Sequence, residues 1–137
     1  MKLLYKNIEF DLDFHKGRGG EMPSGPGIYA EIHWPTNSLR IGESKNIKSR
    51  NRGHISWANR QRSGQISNRE SRRKGPIVDL AKRWGAEGLE HFLISNDERL
   101  VDRELRVECE KYLHHWAKYH QRTYRNLNRQ RGYRISF

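Results

Sequence analysis

The residues best suited to chemistry fall in three short segments of the first half of the chain. Gly27-Ile28-Tyr29 comes first, Arg40-Ile41-Gly42 begins eleven residues after the tyrosine, and Arg50 and His54 follow four residues apart. Cleavage of a phosphodiester bond needs a group that orients the nucleophile, a metal ligand, and cations for the charge that develops on the phosphate. A tyrosine, arginines and a histidine in one stretch suit that chemistry.

The chain carries a strong excess of positive charge. Its 137 residues include 27 Lys and Arg against 16 Asp and Glu, a formal net charge of +11 that favours a polyanionic partner. Residues 45 to 74 hold ten cations and one acid, Glu70, and such a one-sided run repels itself unless an anion is bound. A solvated charged face is the alternative interpretation, but contact with a phosphate backbone is predicted. The ten cations are Lys45, Lys48, Arg50, Arg52, Arg60, Arg62, Arg69, Arg72, Arg73 and Lys74.

Hydrophobic patterning predicts a mixed fold. Apolar residues alternate with polar ones across 4–14, 28–34 and 39–42, which is the two-residue period of a strand, and the apolar run at 91–95 predicts a further strand. Trp57 could stack on a base, although its helical spacing favours the core. Helical spacing predicts helices over 46–60, 77–84 and 98–119, with Asn46 as the first N-cap, an exposed loop over 60–74, and a last edge strand at 135–137.

These elements predict one domain over residues 1–137, with 1–24 as an N-terminal strand and loop extension and 45–74 as a basic helix and loop. The connections between the early strands are only a few residues long, so those strands cannot make parallel crossovers. The predicted fold class is therefore α/β or α+β, with a small antiparallel central sheet flanked by helices.

Composition excludes several classes of protein. The single cysteine, Cys109, rules out an internal disulfide framework and a cysteine-based zinc ribbon. No apolar run approaches the roughly 18 residues of a membrane-spanning helix. The residues from Met1 to Lys6 return to charge too soon for a signal-peptide core, so we expect a cytoplasmic protein without a membrane partner.

The three chemical segments together resemble the GIY-YIG nuclease superfamily. In that family a Gly-Ile-Tyr strand pairs with a Tyr-Ile-Gly strand, and the helix that follows carries an arginine and commonly a histidine one turn later. These positions correspond to Gly27-Ile28-Tyr29, Arg40-Ile41-Gly42, Arg50 and His54, and the resemblance covers residues 25 to 55 best. It implies that Tyr29 orients or deprotonates the attacking water and that Arg50 binds the phosphate. It also implies that a helix glutamate holds one divalent metal ion, Mg²⁺ or Mn²⁺.

One position departs from the family pattern, because Arg40 stands where the second tyrosine is expected. Arginine stays protonated, so it cannot act as a general base. Two interpretations remain open. Either Tyr29 carries the role alone while Arg40 assists it electrostatically, or the site has become a binding module without activity.

The metal ligand is expected on the long C-terminal helix, where two glutamates compete for the role. Glu108 lies beside the apolar stripe that should face the sheet, whereas Glu110 points away from it. Local similarity to the family instead favours Glu110, because bulky residues follow it. The helical-face argument makes Glu108 the first choice and Glu110 the second. The stripe consists of Leu105, Cys109, Tyr112 and Trp116.

The sequence therefore predicts a divalent-metal-dependent endonuclease of the GIY-YIG type that hydrolyses DNA phosphodiester bonds. The family usually ends its core with an asparagine after the long helix, and Asn126 is the candidate, with Asn128 as the alternative. A catalytically inactive GIY-YIG-like module that binds nucleic acid is the alternative function. A basic ribosome-associated protein would explain the charge but not the register of the three segments. The predicted catalytic residues are Tyr29, Arg40, Arg50, His54 and Glu108.

Overall fold

In the computed structural model, which describes residues 1–14, 22–120 and 125–126, the chain begins with a β-hairpin. Strands β1 (Lys2–Tyr5) and β2 (Ile8–Asp11) pair antiparallel around a two-residue turn. The turn residues, Lys6 and Asn7, have φ values of 50° and 62°, the left-handed geometry that matches the twist of a tight hairpin. The predicted single strand over 4–14 is therefore wrong, because the alternating pattern runs through a turn that lacks the usual glycine.

A central antiparallel sheet follows and confirms the predicted α+β class. Strand β3 (Gly27–His33) lies between β4 (Ser38–Ser44) and β5 (Leu89–Ser95) and pairs antiparallel with both. The two residues of β6 (Arg125–Asn126) pair parallel with the start of β4. Because a single short turn connects β3 to β4, these two strands must run in opposite directions.

Helix α1 (Ile47–Ser63) follows β4 directly. Asn46 is its N-cap, as predicted, and the Asn46 side chain accepts a hydrogen bond from the Ser49 amide at 3.1 Å. The helix continues past the predicted end at residue 60 and stops at Gly64. Gly64 has a φ of 75°, a conformation that favours glycine at the end of a helix.

A short helix lies where the sequence pattern predicted an exposed loop. Ser67 caps α2 (Asn68–Ser71), because its hydroxyl accepts a hydrogen bond from the Glu70 amide at 3.1 Å. Ser67 and Glu70 have the spacing of a capping box, which is a local helix signal. The loop prediction for 60–74 is thus wrong over the end of α1 and over α2. The next helix, α3 (Pro76–Trp84), agrees with its prediction.

The last long helix begins later than predicted. Residues Glu98–Val101 form a 3-10 turn, which Asp97 caps by accepting a hydrogen bond from the Arg99 amide at 2.9 Å. Helix α4 (Arg103–His120) starts after this turn. The predicted edge strand at 135–137 lies outside the described residues. Within the described ranges, no helix is both long enough and apolar enough to cross a membrane.

The sheet has two chemically different faces. The even-numbered residues of β3, Ile28 to Ile32, are buried in one hydrophobic core with β2 and α4. The odd-numbered residues, Tyr29 to His33, project to the opposite face, toward α1 and α3. This polar face carries the residues that the sequence singled out.

Candidate functional site

Tyr29 lies on the polar face of the sheet, directly opposite Gly42 on β4. Only 1 % of Tyr29 is exposed, and a Cβ added to Gly42 would overlap the tyrosine hydroxyl. Burial raises the pKa of Tyr29 well above its ordinary value, and the charge of Glu31 raises it further, whereas Arg40 and Arg50 oppose these effects. At neutral pH the hydroxyl is therefore a neutral hydrogen-bonding group rather than a ready base.

Glu31 lies two residues further along the same face, with 2 % exposed. The strand register puts His91 of β5 on one side of it and Arg40 of β4 on the other. Burial by itself would raise the pKa of Glu31, but the imidazoles of His54 and His91 and the charge of Arg40 lower it far below the ordinary range. Glu31 is therefore a buried carboxylate whose charge is balanced by its neighbours.

His54 of α1 reaches down to this carboxylate. Its Nδ1 is hydrogen-bonded to Glu31 Oε1, and its ring stands edge-on to Tyr29 with the centroids 6.0 Å apart. Arg40 Nη1 lies 3.5 Å from Glu31 Oε2 and 3.3 Å from His54 Nδ1. The arginine that replaces the second tyrosine therefore neutralises Glu31 and flanks the histidine.

A cleft of about 410 Å³ opens beside this cluster. It combines positive charge with apolar walls, so it can accept an anion that carries a flat ring. Arg50 and Arg73 are exposed and have no ion-pair partner in the described part of the chain. The buried indole N–H of Trp57 also lacks a hydrogen-bond partner there. The lining residues are Arg40, Arg50, His54, Trp57, Arg73, Ile77 and Val78.

Glu31, His54 and His91 form a cluster that could hold a metal ion. One ligand atom from each residue lies within 4.8 Å of the other two. Two imidazoles and one carboxylate are a common donor set for metals in proteins. Sequence reasoning missed Glu31 and His91. The available signal was a charged residue two places after Tyr29, in a strand that is otherwise apolar until His33.

The predicted orientation of Glu108 is wrong. Its carboxylate faces the N-terminal hairpin, where Tyr5 Oη donates to Oε1 at 2.9 Å and Lys6 Nζ donates to Oε2 at 2.8 Å. Its side chain is 45 % exposed. This position lies away from Tyr29 and Arg50, so the structure does not bring Glu108 into the cluster.

The buried face of α4 is rotated about the helix axis from the predicted face. The fully buried stripe of α4 runs through Cys109, Leu113 and Ala117, whereas Tyr112 and Trp116 are only partly buried. Because the centre of the buried face is rotated from the predicted one, the two glutamates flank it on opposite sides.

Glu110 occupies the flank of α4 that faces β4. Burial, followed by the charge of Glu43, raises the pKa of Glu110 to about 7, and Arg40 and Arg50 act in the opposite direction. The charge of Glu110 also acts on Tyr29. Glu110, the second choice from the sequence, is thus the helix glutamate whose pKa responds to the charges of Arg40 and Arg50.

Neighbouring side chains fix this flank of α4 against the sheet. Arg106, one turn before Glu110, forms an ion pair with Glu43 of β4. His114, one turn after it, lies with Nε2 2.9 Å from the carbonyl oxygen of Ile41. Glu110 is therefore held over β4 by contacts on both sides along the helix.

The predicted nucleic-acid-binding cations differ in their surroundings. Arg62 forms an ion pair with Glu87 at 2.9 Å, and Arg60 donates to the Ser56 hydroxyl at 2.8 Å. Lys48 is half-buried, and Arg73 is the one that lines the cleft beside the catalytic candidates. The backbone of Asn126 pairs with β4, and Asn128 lies outside the described residues. The other cations, Lys45, Arg52, Arg69, Arg72 and Lys74, are exposed.

Comparisons of the chain with protein-family models, with curated proteins and with solved structures found no match. The geometry of the site and the residue types within it therefore indicate the function.

Proposed function

We propose that this protein is a divalent-metal-dependent endonuclease of the GIY-YIG type that hydrolyses phosphodiester bonds in DNA. The observation that carries the proposal is that four predicted catalytic residues meet at one cationic cleft. Arg40, Arg50 and His54 line the cleft, and the ring of Tyr29 packs against His54. These residues come from two strands and a helix, and the chain as a whole has a formal charge of +11. A site of this charge and shape suits a nucleic-acid backbone.

The arginines and the tyrosine each have a role that follows from their surroundings. Arg50 and Arg73, which are exposed at the cleft, bind the phosphate. Arg40 adds positive charge for the developing phosphorane oxygens while it remains paired with Glu31. Tyr29 keeps its proton and orients the attacking water through its hydroxyl.

Mg²⁺ or Mn²⁺ is the expected cofactor, and Glu110 would hold it. The carboxylate fits this role because it is largely buried beside Glu43, whose charge helps to raise the pKa of Glu110 although Glu43 also pairs with Arg106. A divalent cation relieves such repulsion, and Mg²⁺ commonly binds through one or two carboxylates together with substrate phosphates. When bound, the ion would stabilise negative charge on the phosphate.

A catalytically inactive nucleic-acid-binding module is the second candidate, and two observations favour it. Tyr29 is almost fully buried, so its hydroxyl has little access to a substrate. Arg40 occupies the position of the second tyrosine and is tied to Glu31. Phosphate binding by Arg50 and Arg73 requires neither tyrosine.

Incubation of the purified protein with supercoiled plasmid, in Mg²⁺, in Mn²⁺ and in EDTA, tests the proposal. We expect nicked or linear plasmid with either metal and intact plasmid in EDTA. Tyr29→Phe should abolish cleavage and retain DNA binding, because it removes one hydroxyl and no charge. If the wild type binds DNA but leaves every form intact in both metals, the binding module is the better description.

Two matched pairs of variants separate the site from general effects of charge. Arg50→Ala and Arg62→Ala each remove an exposed arginine from α1, but Arg62 pairs with Glu87 and does not line the cleft. Glu110→Gln and Glu108→Gln each neutralise one glutamate of α4. The first member of each pair should lose cleavage by roughly 100-fold or more, and the second should keep it. Equal losses within a pair would contradict the assigned site.

A further inference from the structure

We propose that Glu31, His54 and His91 bind one transition-metal ion at a site distinct from Glu110. Two of the three ligands are fixed by the sheet, because Glu31 of β3 and His91 of β5 are direct cross-strand partners. The third ligand, His54, approaches from α1 above them and already contacts the carboxylate. The two ligands of the sheet are thus preorganised, and the helix supplies the third ligand next to them.

The spacing between the two sheet ligands matches metal coordination better than hydrogen bonding. His91 Nε2 lies 3.4 Å from Glu31 Oε1, but this contact lacks the geometry of a hydrogen bond. Two donors that each lie about 2.0–2.2 Å from a tetrahedral ion are roughly 3.3–3.6 Å apart. The pair therefore needs no rearrangement to share one ion. His54 Nδ1 is closer to the same carboxylate oxygen than two ligands of one tetrahedral ion can be, so this imidazole would move outward as the ion takes the place of the proton that now joins Nδ1 to the carboxylate.

A buried, unsatisfied nitrogen is an independent sign of a ligand. The His91 side chain is 6 % exposed, and its Nε2 has no hydrogen-bond partner among the described residues although it lies beside Glu31. Buried polar atoms are nearly always paired in folded proteins. A nitrogen that lies beside a carboxylate without a hydrogen bond to it therefore indicates that a further ligand binds between the two groups. A metal ion would satisfy it and would add positive charge beside the buried Glu31.

The donor set and the nearby arginine determine which ions fit. Two imidazoles favour Zn²⁺, Co²⁺ and related ions, whereas Mg²⁺ prefers oxygen ligands alone. Arg40 approaches Glu31 Oε2 while both imidazoles approach Oε1, so the guanidinium and the ion would use different oxygens. Because His54 also lines the cleft, a remaining coordination position would face it. If the proposed function is correct, a phosphate oxygen could occupy that position.

Titration with Co²⁺ tests the site without any measurement of cleavage. Tag-free protein is treated with EDTA, freed of the chelator, and titrated while visible absorption is recorded. We expect a d–d band that saturates at equimolar Co²⁺. Zn²⁺ should remove the band by competition, and a large excess of Mg²⁺ should leave it unchanged. A wild-type protein without such a band would overturn the proposal.

Variants identify the ligands. His91→Ala and Glu31→Gln should each weaken Co²⁺ binding by at least roughly tenfold, whereas His115→Ala, which removes a histidine from α4, should bind as the wild type does. Circular dichroism checks that each variant is folded, and His54→Ala, at a partly exposed position, replaces any variant that is not. A band that survives all ligand substitutions would also overturn the proposal. Because the readout is metal binding, its failure is distinguishable from failure of the endonuclease proposal.

Discussion

Tyr29 and Gly42 face each other across the β3–β4 pair, and the tyrosine ring fills the space that a side chain at position 42 would need. The second motif segment therefore needs a glycine at position 42, because any larger residue would overlap the tyrosine of the first segment. This relationship explains why the two segments occur in register, independently of any role in catalysis.

Gly42→Ala should destabilise the protein by about 1–3 kcal/mol, because the added Cβ overlaps the Tyr29 ring and forces it to move. Urea unfolding measures the change. In a Tyr29→Leu background the same substitution should cost less, since the ring that it meets is gone. Equal costs in both backgrounds would show that the clash is not with Tyr29.

Gly53 on α1 offers a matched control for this substitution. A Cβ at Gly53 meets nothing within 4 Å, and the residue lies inside a helix. Gly53→Ala should therefore stabilise the protein by about 0.5–1 kcal/mol, because alanine loses less conformational freedom in a helix.

Much of the fold follows from local signals in the sequence. The alternation of β3 and the Asn46 cap predict elements that the structure confirms, because neighbouring residues determine them. The N-terminal hairpin was not predicted, because its turn consists of Lys6 and Asn7 and lacks the glycine that usually indicates such a turn. The capping box at Ser67 is equally local and would have predicted α2.

The site could be predicted only in part, since it depends on tertiary contacts. Tyr29 and Arg40 meet because their strands pair, which the motif register predicts. The pairing of Glu31 with His91 depends on how β5, a distant segment, aligns with β3, and no local pattern carries that information. The choice between Glu108 and Glu110 depended on the rotation of α4 about its axis. The predicted rotation was wrong because it relied on aromatic residues that are only partly buried.

Trp57 should contribute to DNA binding more than to stability. Its indole N–H is buried without a partner among the described residues, so Trp57→Phe removes an unsatisfied donor and should leave the free energy of unfolding unchanged or slightly higher. Trp57→Ala should weaken binding of single-stranded DNA by about 1–3 kcal/mol if a base stacks on the ring. Fluorescence anisotropy measures the affinity, and Trp84→Phe is the control. A core role would give the reverse, with lower stability and unchanged affinity.

DNA binding should depend steeply on salt, and the exposed arginines around α2 should account for part of the slope. Each phosphate contact contributes about −0.9 to the slope of log K against log salt on duplex DNA. Reversal of charge at Arg69, Arg72 and Arg73, which are all exposed, should flatten the slope by as much as roughly 2.7. Arg103→Glu, at the start of α4, is the control and should leave the slope unchanged. An unaltered slope in the triple variant would exclude this segment from the DNA contact.

The pH dependence of stability should distinguish the two glutamates of α4 even without substrate. The pKa of Glu110 is raised to about 7 in the folded protein, from 4.5 in a solvated carboxyl. Between these values the folded state keeps a proton that the unfolded state has released, so Glu110 lowers stability as pH rises through this window. The shift corresponds to about 3 kcal/mol.

The pKa of Glu108 is shifted in the opposite direction, because Lys6 and Tyr5 stabilise its charged form. It therefore contributes stability above its unfolded pKa, and this contribution is lost as pH falls. The side chain is 45 % exposed, so solvent screening limits its contribution to about 1 kcal/mol or less.

Urea unfolding in EDTA at pH 5 and at pH 8 should show opposite effects for the two neutral variants. Glu110→Gln removes the penalty that develops with rising pH, so this variant should exceed the wild type in stability at pH 8 and differ little at pH 5. Glu108→Gln removes a favourable charge and should be less stable than the wild type at pH 8. If Glu110→Gln followed the wild-type curve at both pH values, its carboxylate would have to be solvated, and the argument that it is buried over β4 would fail.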